Sequence, residues 1–192
     1  MAKRPVNNLL GLAVLAYLTR RPMHPYELSK TLRDNGDARS IKFTHGSLYM
    51  VFGQLQKAGL IEPVETNRAG ARPERTLYAL TPAGGDELRD WLRDLLGRPE
   101  HEYPHFVAAL SLVGALTPDE VVPLLRARRS ALEGQRDDAR GVREAALAAG
   151  VHPLFLVEED YRETLLNAEI GFVERFLGQI EGGWAADWGG TS

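Results

Sequence analysis

Thr44, His45, Ser47, Tyr49, Met50 and Gln54 fall within eleven positions, with Lys42 just before them and Arg68, Arg72 and Arg75 shortly after. This mix of hydroxyls, imidazole, phenol, amide and cations suits contact with a polyanion better than it suits bond-making. Thr44 and Ser47, with the N–H groups that open a helix, fit phosphate oxygens. Gln54 and His45 fit base edges, and Met50 fits a thymine methyl. The three arginines fit a sugar–phosphate backbone or the minor groove. Lys30, Lys42 and Lys57 would add affinity by releasing counterions. The plainer alternative is that Tyr49 packs at a helix edge and the arginines are merely solvated.

A second pattern spells out catalysis but fails on physical grounds. His101-Glu102-Tyr103-Pro104-His105 matches H-E-x-x-H, which on a helix sets two zinc ligands one turn apart beside a carboxylate base. Pro104 would lie inside that helix, remove a hydrogen bond and clash with the preceding turn. It starts the next helix more naturally, which leaves His101 in a connector. His24, His45 and His152 are far apart in sequence, no phosphate-cradling glycine loop is present, and there is no cysteine for thiolate chemistry. The reading is of a protein without enzymatic activity, cofactor or metal.

The polar cluster needs a helix to hold it, and residues 43–61 supply one. Leu48, Val51, Phe52 and Leu55 recur at i, i+3, i+4 and i+7, an apolar stripe. Thr44 is the N-cap and Gly59 the left-handed C-cap. Gly46, Met50, Gly53 and Lys57 lie on the far side, a low surface that lets something bulky approach the backbone. Two helices precede it. The first opens near Pro5, turns Leu9, Leu12, Ala13, Ala16 and Tyr17 inward, and ends at Arg20-Arg21-Pro22. The second spans 25–35, with Leu28 and Leu32 inward and Tyr26, Lys30 and Arg33 outward. Ile61, Val64 and Thr66, then Leu77, Tyr78 and Leu80, change the period to that of strands around a turn-rich, arginine-bearing tip. Three helices and a basic hairpin describe a winged helix-turn-helix.

Thr81-Pro82 opens a fourth helix with Leu88, Trp91, Leu92 and Leu95 on its apolar face. Gly97 to Pro99 break it. The expected division is a DNA-binding domain with its linking helix over 1–97, a helical domain over 98–182 and a flexible tail over 183–192, although Trp184 and Trp188 have the means to dock. The second domain reads as helices over 104–116, 118–149 and 153–180. The last has two apolar stripes, one through Tyr161, Leu165, Ala168, Phe172 and Phe176, the other through Leu166, Ile170, Val173 and Leu177. One neighbouring helix does not need so wide a face, so the pattern points to a partner chain. Trp91, Phe106 and Tyr161 are candidates to line a pocket, with ordinary core packing as the alternative for each.

Composition fits this reading. The 192 residues are 44% hydrophobic and 26% charged, as expected of a protein with a proper core. The net charge of −3 hides an asymmetry: residues 1–80 carry twelve Lys/Arg and six Asp/Glu, residues 81–192 eleven and twenty. A basic head on an acidic body suits a polyanion partner. The apolar run Leu9 to Leu18 is too short to cross a bilayer and no small-residue cleavage site follows it. A cytoplasmic location, with no membrane, is expected.

These residues resemble the PadR family of transcriptional regulators. LLGLAVLAYLTRRPMHPYELSKTL from Leu9 is similar to that family's first two helices, THGSLYMVFGQLQKAGLIE from Thr44 to its recognition helix and following strand, and RPERTLYALTPAGGDEL from Arg72 to its wing and fourth helix. HFVAALSLVGAL and YRETLLNAEIGFVERFL are similar to the longer members, which have a separate helical C-terminal domain. Pro25, where glycine is frequent, and Met50, where proline is common, depart from the pattern. The resemblance implies a mostly α fold with an all-helical dimerisation domain. It also implies a homodimeric repressor on an inverted-repeat operator in double-stranded DNA, released by a small, often aromatic, effector. In some relatives a tryptophan in the fourth helix stacks on planar ligands, which would make Trp91 such a residue. The competing reading is a winged-helix protein-interaction module that does not bind DNA.

Overall fold

The computed structural model describes residues 4–67 and 75–188. The chain divides into two units, Met1–His101 and Glu102–Ser192.

The first unit orders α1 (Leu9–Leu18), α2 (Pro25–Asp34), α3 (His45–Lys57), β1 (Ile61–Asn67), β2 (Arg75–Leu80) and α4 (Pro82–Gly97). In α3 the stripe Leu48, Val51, Phe52 and Leu55 is fully buried against Val14, Leu15, Leu28 and Leu32. Each such side chain contributes about 1.5–3 kcal/mol by leaving water. The edge of the Phe52 ring meets Tyr78 of β2 at 5.2 Å between centroids. Gly59, at φ +72°, takes the left-handed position that ends α3 and turns the chain into β1. The antiparallel β1–β2 pair runs from Ile61↔Leu80 to Asn67↔Arg75, with a bulge between Pro63 and Glu65. Proline has no N–H to give the ladder, and Val64 at the bulge is exposed. Met23 adds a bridge to Tyr78, its N–H and C=O each 3.0 Å from their partners, which pins the wing to the α1–α2 connector.

Four expectations need correction here. Pro5 lies outside α1, whose N-cap is Asn8, with Oδ1 accepting from the Gly11 N–H. The helix ends at Leu18, before Arg20 and Arg21. The buried residues of α1 are Leu10, Gly11, Ala13, Val14, Leu15 and Leu18, while Leu9 is exposed. A helix that is apolar all round has no period to read. In α4, Leu88 and Trp91 are buried but Leu92 and Leu95 are exposed. The face docked on the unit is narrower than the apolar pattern, and at its start Gly84 lies close against the Leu60 carbonyl.

The second unit comprises α5 (His105–Ser111), α6 (Pro118–Ala148) and α7 (Val157–Gln179), with 3-10 turns at Val113–Ala115 and Pro153–Leu156. The single helix expected over 104–116 is broken at Leu112, and that expected over 153–180 begins as a 3-10 turn. Thr117 and Glu120 form a capping box that opens α6. Pro123 removes one backbone bond near its start. Helices α6 and α7 pack antiparallel, burying Val121 and Leu125 with Val173, Phe176 and Leu177. Arg128–Glu169 and Arg140–Glu163 pair across the seam. Residues 183–188 are not the loose tail expected: Ala185–Asp187 make a helical turn, the Trp188 Nε1–H donates to the Leu116 carbonyl at 2.8 Å, and its ring stacks on Phe176. Among the described residues, no helix is long and apolar enough to cross a membrane.

Candidate nucleic-acid interface

The helix-turn-helix surface is built by α2 and the first two turns of α3. His24 caps α2, its Nδ1 accepting from the Tyr26 N–H at 3.1 Å. Burial of Leu28 and Leu32 turns Tyr26, Lys30 and Arg33 outward. On α3 the same constraint exposes His45, Tyr49, Met50, Gly53 and Gln54. The His45 ring lies nearly parallel to Tyr26 (8°, 5.9 Å between centroids), and Tyr49 meets His24 edge-on at 6.1 Å. His45 Nδ1 is 3.3 Å from Ser29 Oγ and Nε2 is 3.4 Å from Arg33 Nη1. The Arg33 guanidinium also lies over the Phe43 ring. Arg21 donates to the Glu27 carboxylate and holds it below the ordinary carboxylate range.

Thr44 and Ser47 are placed as expected at the start of α3, but their hydroxyls serve the helix itself. Thr44 Oγ1 accepts from the Ser47 N–H at 3.1 Å, and Ser47 Oγ accepts from the Thr44 N–H at 2.8 Å and donates to the Thr44 carbonyl. This reciprocal cap is worth about 1 kcal/mol and fixes where α3 begins. Lys42, Ser47 and Met50 line an open cavity of about 310 Å³ together with Asn8 and Leu9. Arg68, Arg72 and the Arg75 side chain lie outside the described residues.

A Cβ built at Gly53 has nothing within 4 Å. Gly53→Ala is therefore expected to stabilise α3 by about 0.5–1 kcal/mol through helix propensity. If a duplex comes close to this backbone, the same change weakens DNA binding. Thermal unfolding and duplex titration of the one variant should move in opposite directions.

The three aromatic pocket candidates are divided between the units, Trp91 in the first and Phe106 and Tyr161 in the second. Trp91 in the first unit is 4% exposed, and the Arg4 guanidinium lies over its ring at 5.3 Å. Arg4 is itself held by Glu87 and Asp94. Phe106, in the second unit, lines an open cavity of about 230 Å³ with Leu110, Val113, Val121 and Leu125. The Arg128 guanidinium is 3.6 Å from the Phe106 centroid. Tyr161 does not line this cavity and is 65% exposed on α7. Among the described residues, no group of three or more His, Asp or Glu could hold a metal ion.

Sequence reading missed Ser29 and passed over Arg33 and His24 as interface residues. For Arg33 the available signal was its spacing with Tyr26 and Lys30 on the outward face of α2, whereas Ser29 is buried and its contact leaves no such signal.

Known proteins resemble this chain in sequence over the first unit and in fold. Residues 14–90 match the transcriptional regulator PadR-like family. The negative transcriptional regulator PadR of Bacillus subtilis is 24% identical over 159 residues, 82% of this chain and 85% of that protein. The crystal structure of B. subtilis PadR in complex with operator DNA superposes with a TM-score of 0.75 at 21% identity, covering 92% of this chain and 99% of that one. The complex of the same protein with p-coumaric acid gives a TM-score of 0.73 at 19% identity, covering 90% and 99%. At these identities the structural likeness speaks for the fold, a mostly α winged-helix architecture. The family match runs from within α1 to within α4, so it is the helix-turn-helix and wing of the first unit that resemble the PadR-like family of transcriptional regulators.

Proposed function

We propose that this protein is a cytoplasmic, homodimeric, DNA-binding transcriptional repressor, without catalytic activity, that reads an inverted repeat and is released by a small effector. The observation that carries this reading is the α2–α3 surface. Tyr26, Lys30, His45, Tyr49, Met50 and Gln54 are exposed together on a helix pair whose other side is fully buried. A helix presented in this way fits the major groove with its N-terminal residues at the bases. The relative solved with operator DNA supports the same use.

In this scheme His45, Tyr49, Met50 and Gln54 meet base edges, with Thr44 and Ser47 supporting them and offering the N-terminal N–H groups of α3 to phosphate. Lys30, Lys42 and Tyr26 meet phosphates, and Arg68, Arg72 and Arg75 follow the backbone from the wing. Dimerisation uses the outward stripe of α7. For the effector, Phe106 has better-suited surroundings than Trp91 or Tyr161, because the adjoining cavity is apolar and Arg128 brings a cation to the ring. The B. subtilis PadR structure with p-coumaric acid supports an aromatic acid as the class to try first.

Binding of a duplex carrying the gene's own upstream region should weaken linearly in log–log coordinates as salt rises. Lys30→Ala and Lys42→Ala should each flatten that slope by about one unit while leaving base preference unchanged. A wild-type protein with no affinity at any salt, yet retaining a protein partner, would favour the interaction-module reading.

A further inference from the structure

The contacts at His45 constrain where its proton sits. A guanidinium has only N–H donors and no acceptor. With Arg33 Nη1 3.4 Å from Nε2, that ring nitrogen is the acceptor of the pair. A neutral imidazole then carries its hydrogen on Nδ1, 3.3 Å from Ser29 Oγ, a hydroxyl with no exposure to solvent. An imidazolium would turn a second donor toward Arg33 and has no acceptor there. Tyr26, parallel to the ring at 8°, fixes its plane.

We propose that Ser29 and Arg33 are positioning residues that hold His45 as its Nδ1–H tautomer, so that Nε2 selects an exocyclic amino group in the major groove. The inference rests on the reading that α3 enters that groove. Two bases present such a donor there, adenine through N6 and cytosine through N4. The opposite tautomer presents a donor at Nε2 and takes guanine O6 or N7, adenine N7 or thymine O4, so cytosine is the base that separates the two forms. In the structure Arg33 occupies the Nε2 lone pair at the long end of hydrogen-bond distance, so exchange costs little. When a phosphate arrives it draws the guanidinium away. Arg33 swings about Phe43, whose ring it already overlies at 5.5 Å, and the lone pair passes to the base. Charge thus goes to the backbone and the neutral ring to the base, a division that α2 imposes on α3.

The test uses the full-length protein with 15N-labelled histidine. The five histidines are resolved by long-range proton–nitrogen correlation, with His45→Asn identifying the His45 signals. Above the imidazole titration range, wild-type His45 should show a bare Nε2 and a protonated Nδ1. Ser29→Ala and Arg33→Met should shift it toward the Nε2–H form, and Arg33→Lys, which keeps a donor, should retain the wild-type signature. Arg33 is exposed, so its variants report even if the buried Ser29→Ala fails to fold. In parallel, duplexes enriched by the wild type from a random pool should demand adenine or cytosine at one position per half-site. Ser29→Ala should relax that demand about tenfold and leave the other positions unchanged, whereas Arg33→Met should lower affinity for all sequences alike, because the guanidinium has left the ring in the complex. An Nε2–H His45 in the wild type overturns the proposal, and so does a base preference that Ser29→Ala does not move. If the wild type enriches no duplex at all, the DNA reading falls with it, whereas the tautomer signature still reports whether Ser29 and Arg33 hold the ring.

Discussion

Gly84→Ala is expected to destabilise the first unit by at least about 3 kcal/mol, the upper end of the cost of overpacking. A Cβ at Gly84 would lie 2.0 Å from the Leu60 carbonyl oxygen, 3.0 Å from its carbon and 2.8 Å from Leu80 Cδ1. Two of these atoms are backbone, in the segment where α3 hands over to β1, and cannot rotate away. The same junction is tied by the Thr81 N–H to the Leu60 carbonyl at 3.1 Å and by Thr81 Oγ1 to the Gly59 carbonyl at 2.8 Å. Relieving the clash therefore means lifting α4 off the end of α3. For a unit of this size the loss corresponds to a fall in melting temperature of roughly 12 °C or more. Gly85→Ala is the matched control: its Cβ meets only Arg89 Nη1 at 3.6 Å and Leu80 Cδ2 at 3.8 Å, ordinary contacts. It should gain up to about 1 kcal/mol from helix propensity. Calorimetry of the two variants side by side decides the matter, and similar behaviour of both would show that α4 does not dock through Gly84.

Tyr161→Glu combined with Leu165→Glu should turn a dimer into a monomer with little loss of fold. The inner stripe of α7 (Ile170, Val173, Leu177) is buried, whereas Tyr161 and Leu165 are 65% and 52% exposed on its outer side. Apolar side chains in register over successive turns of a helix mark a surface for another chain. Each protomer carries one α3 and can read one half-site. Losing the second half-site removes the gain of simultaneous engagement, about 10²- to 10⁴-fold in affinity for an inverted repeat. Affinity for an isolated half-site should hardly change. Sedimentation and paired titrations separate the two effects. A variant that stays dimeric, or that loses half-site binding as well, would place the interface elsewhere.

The parts of this fold that were legible in the sequence share one property: a local pattern with a single physical reading. The stripe of α3 alternates with glycines and polar residues, and Thr44 and Gly59 punctuate it, so both its extent and its buried face follow. Helix α1 has the opposite character. Being apolar on every side, it shows that it is central but not which way Leu9 points. In α4 the pattern overstates the docked face, because only three-dimensional geometry reveals that Gly84 lies close against Leu60 while Leu92 and Leu95 stay in solvent. Trp188 sits in a glycine-rich stretch whose composition suggests a loose tail, yet a hydrogen bond to Leu116, 72 residues away, holds it. Arg4, bound to Glu87 and Asp94 over separations of 83 and 90 residues, left no sequence signal at all.

The candidate interface divides in the same way. Which residues of α3 face outward could be read from its period. That Thr44 and Ser47 spend their hydroxyls on each other, and that Ser29 reaches His45 from the neighbouring helix, depends on how α2 crosses α3. No spacing within one helix encodes that.

Nuclease protection across the DNA upstream of the protein's own gene tests the central claim most directly. A dimeric winged-helix regulator should protect an inverted repeat whose half-site centres are one or two helical turns apart, about 10–10.5 base pairs per turn. That protection should fade steeply with salt and reappear nowhere on a scrambled duplex. Uniform protection without a preferred site, or no protection at low salt, would contradict the account.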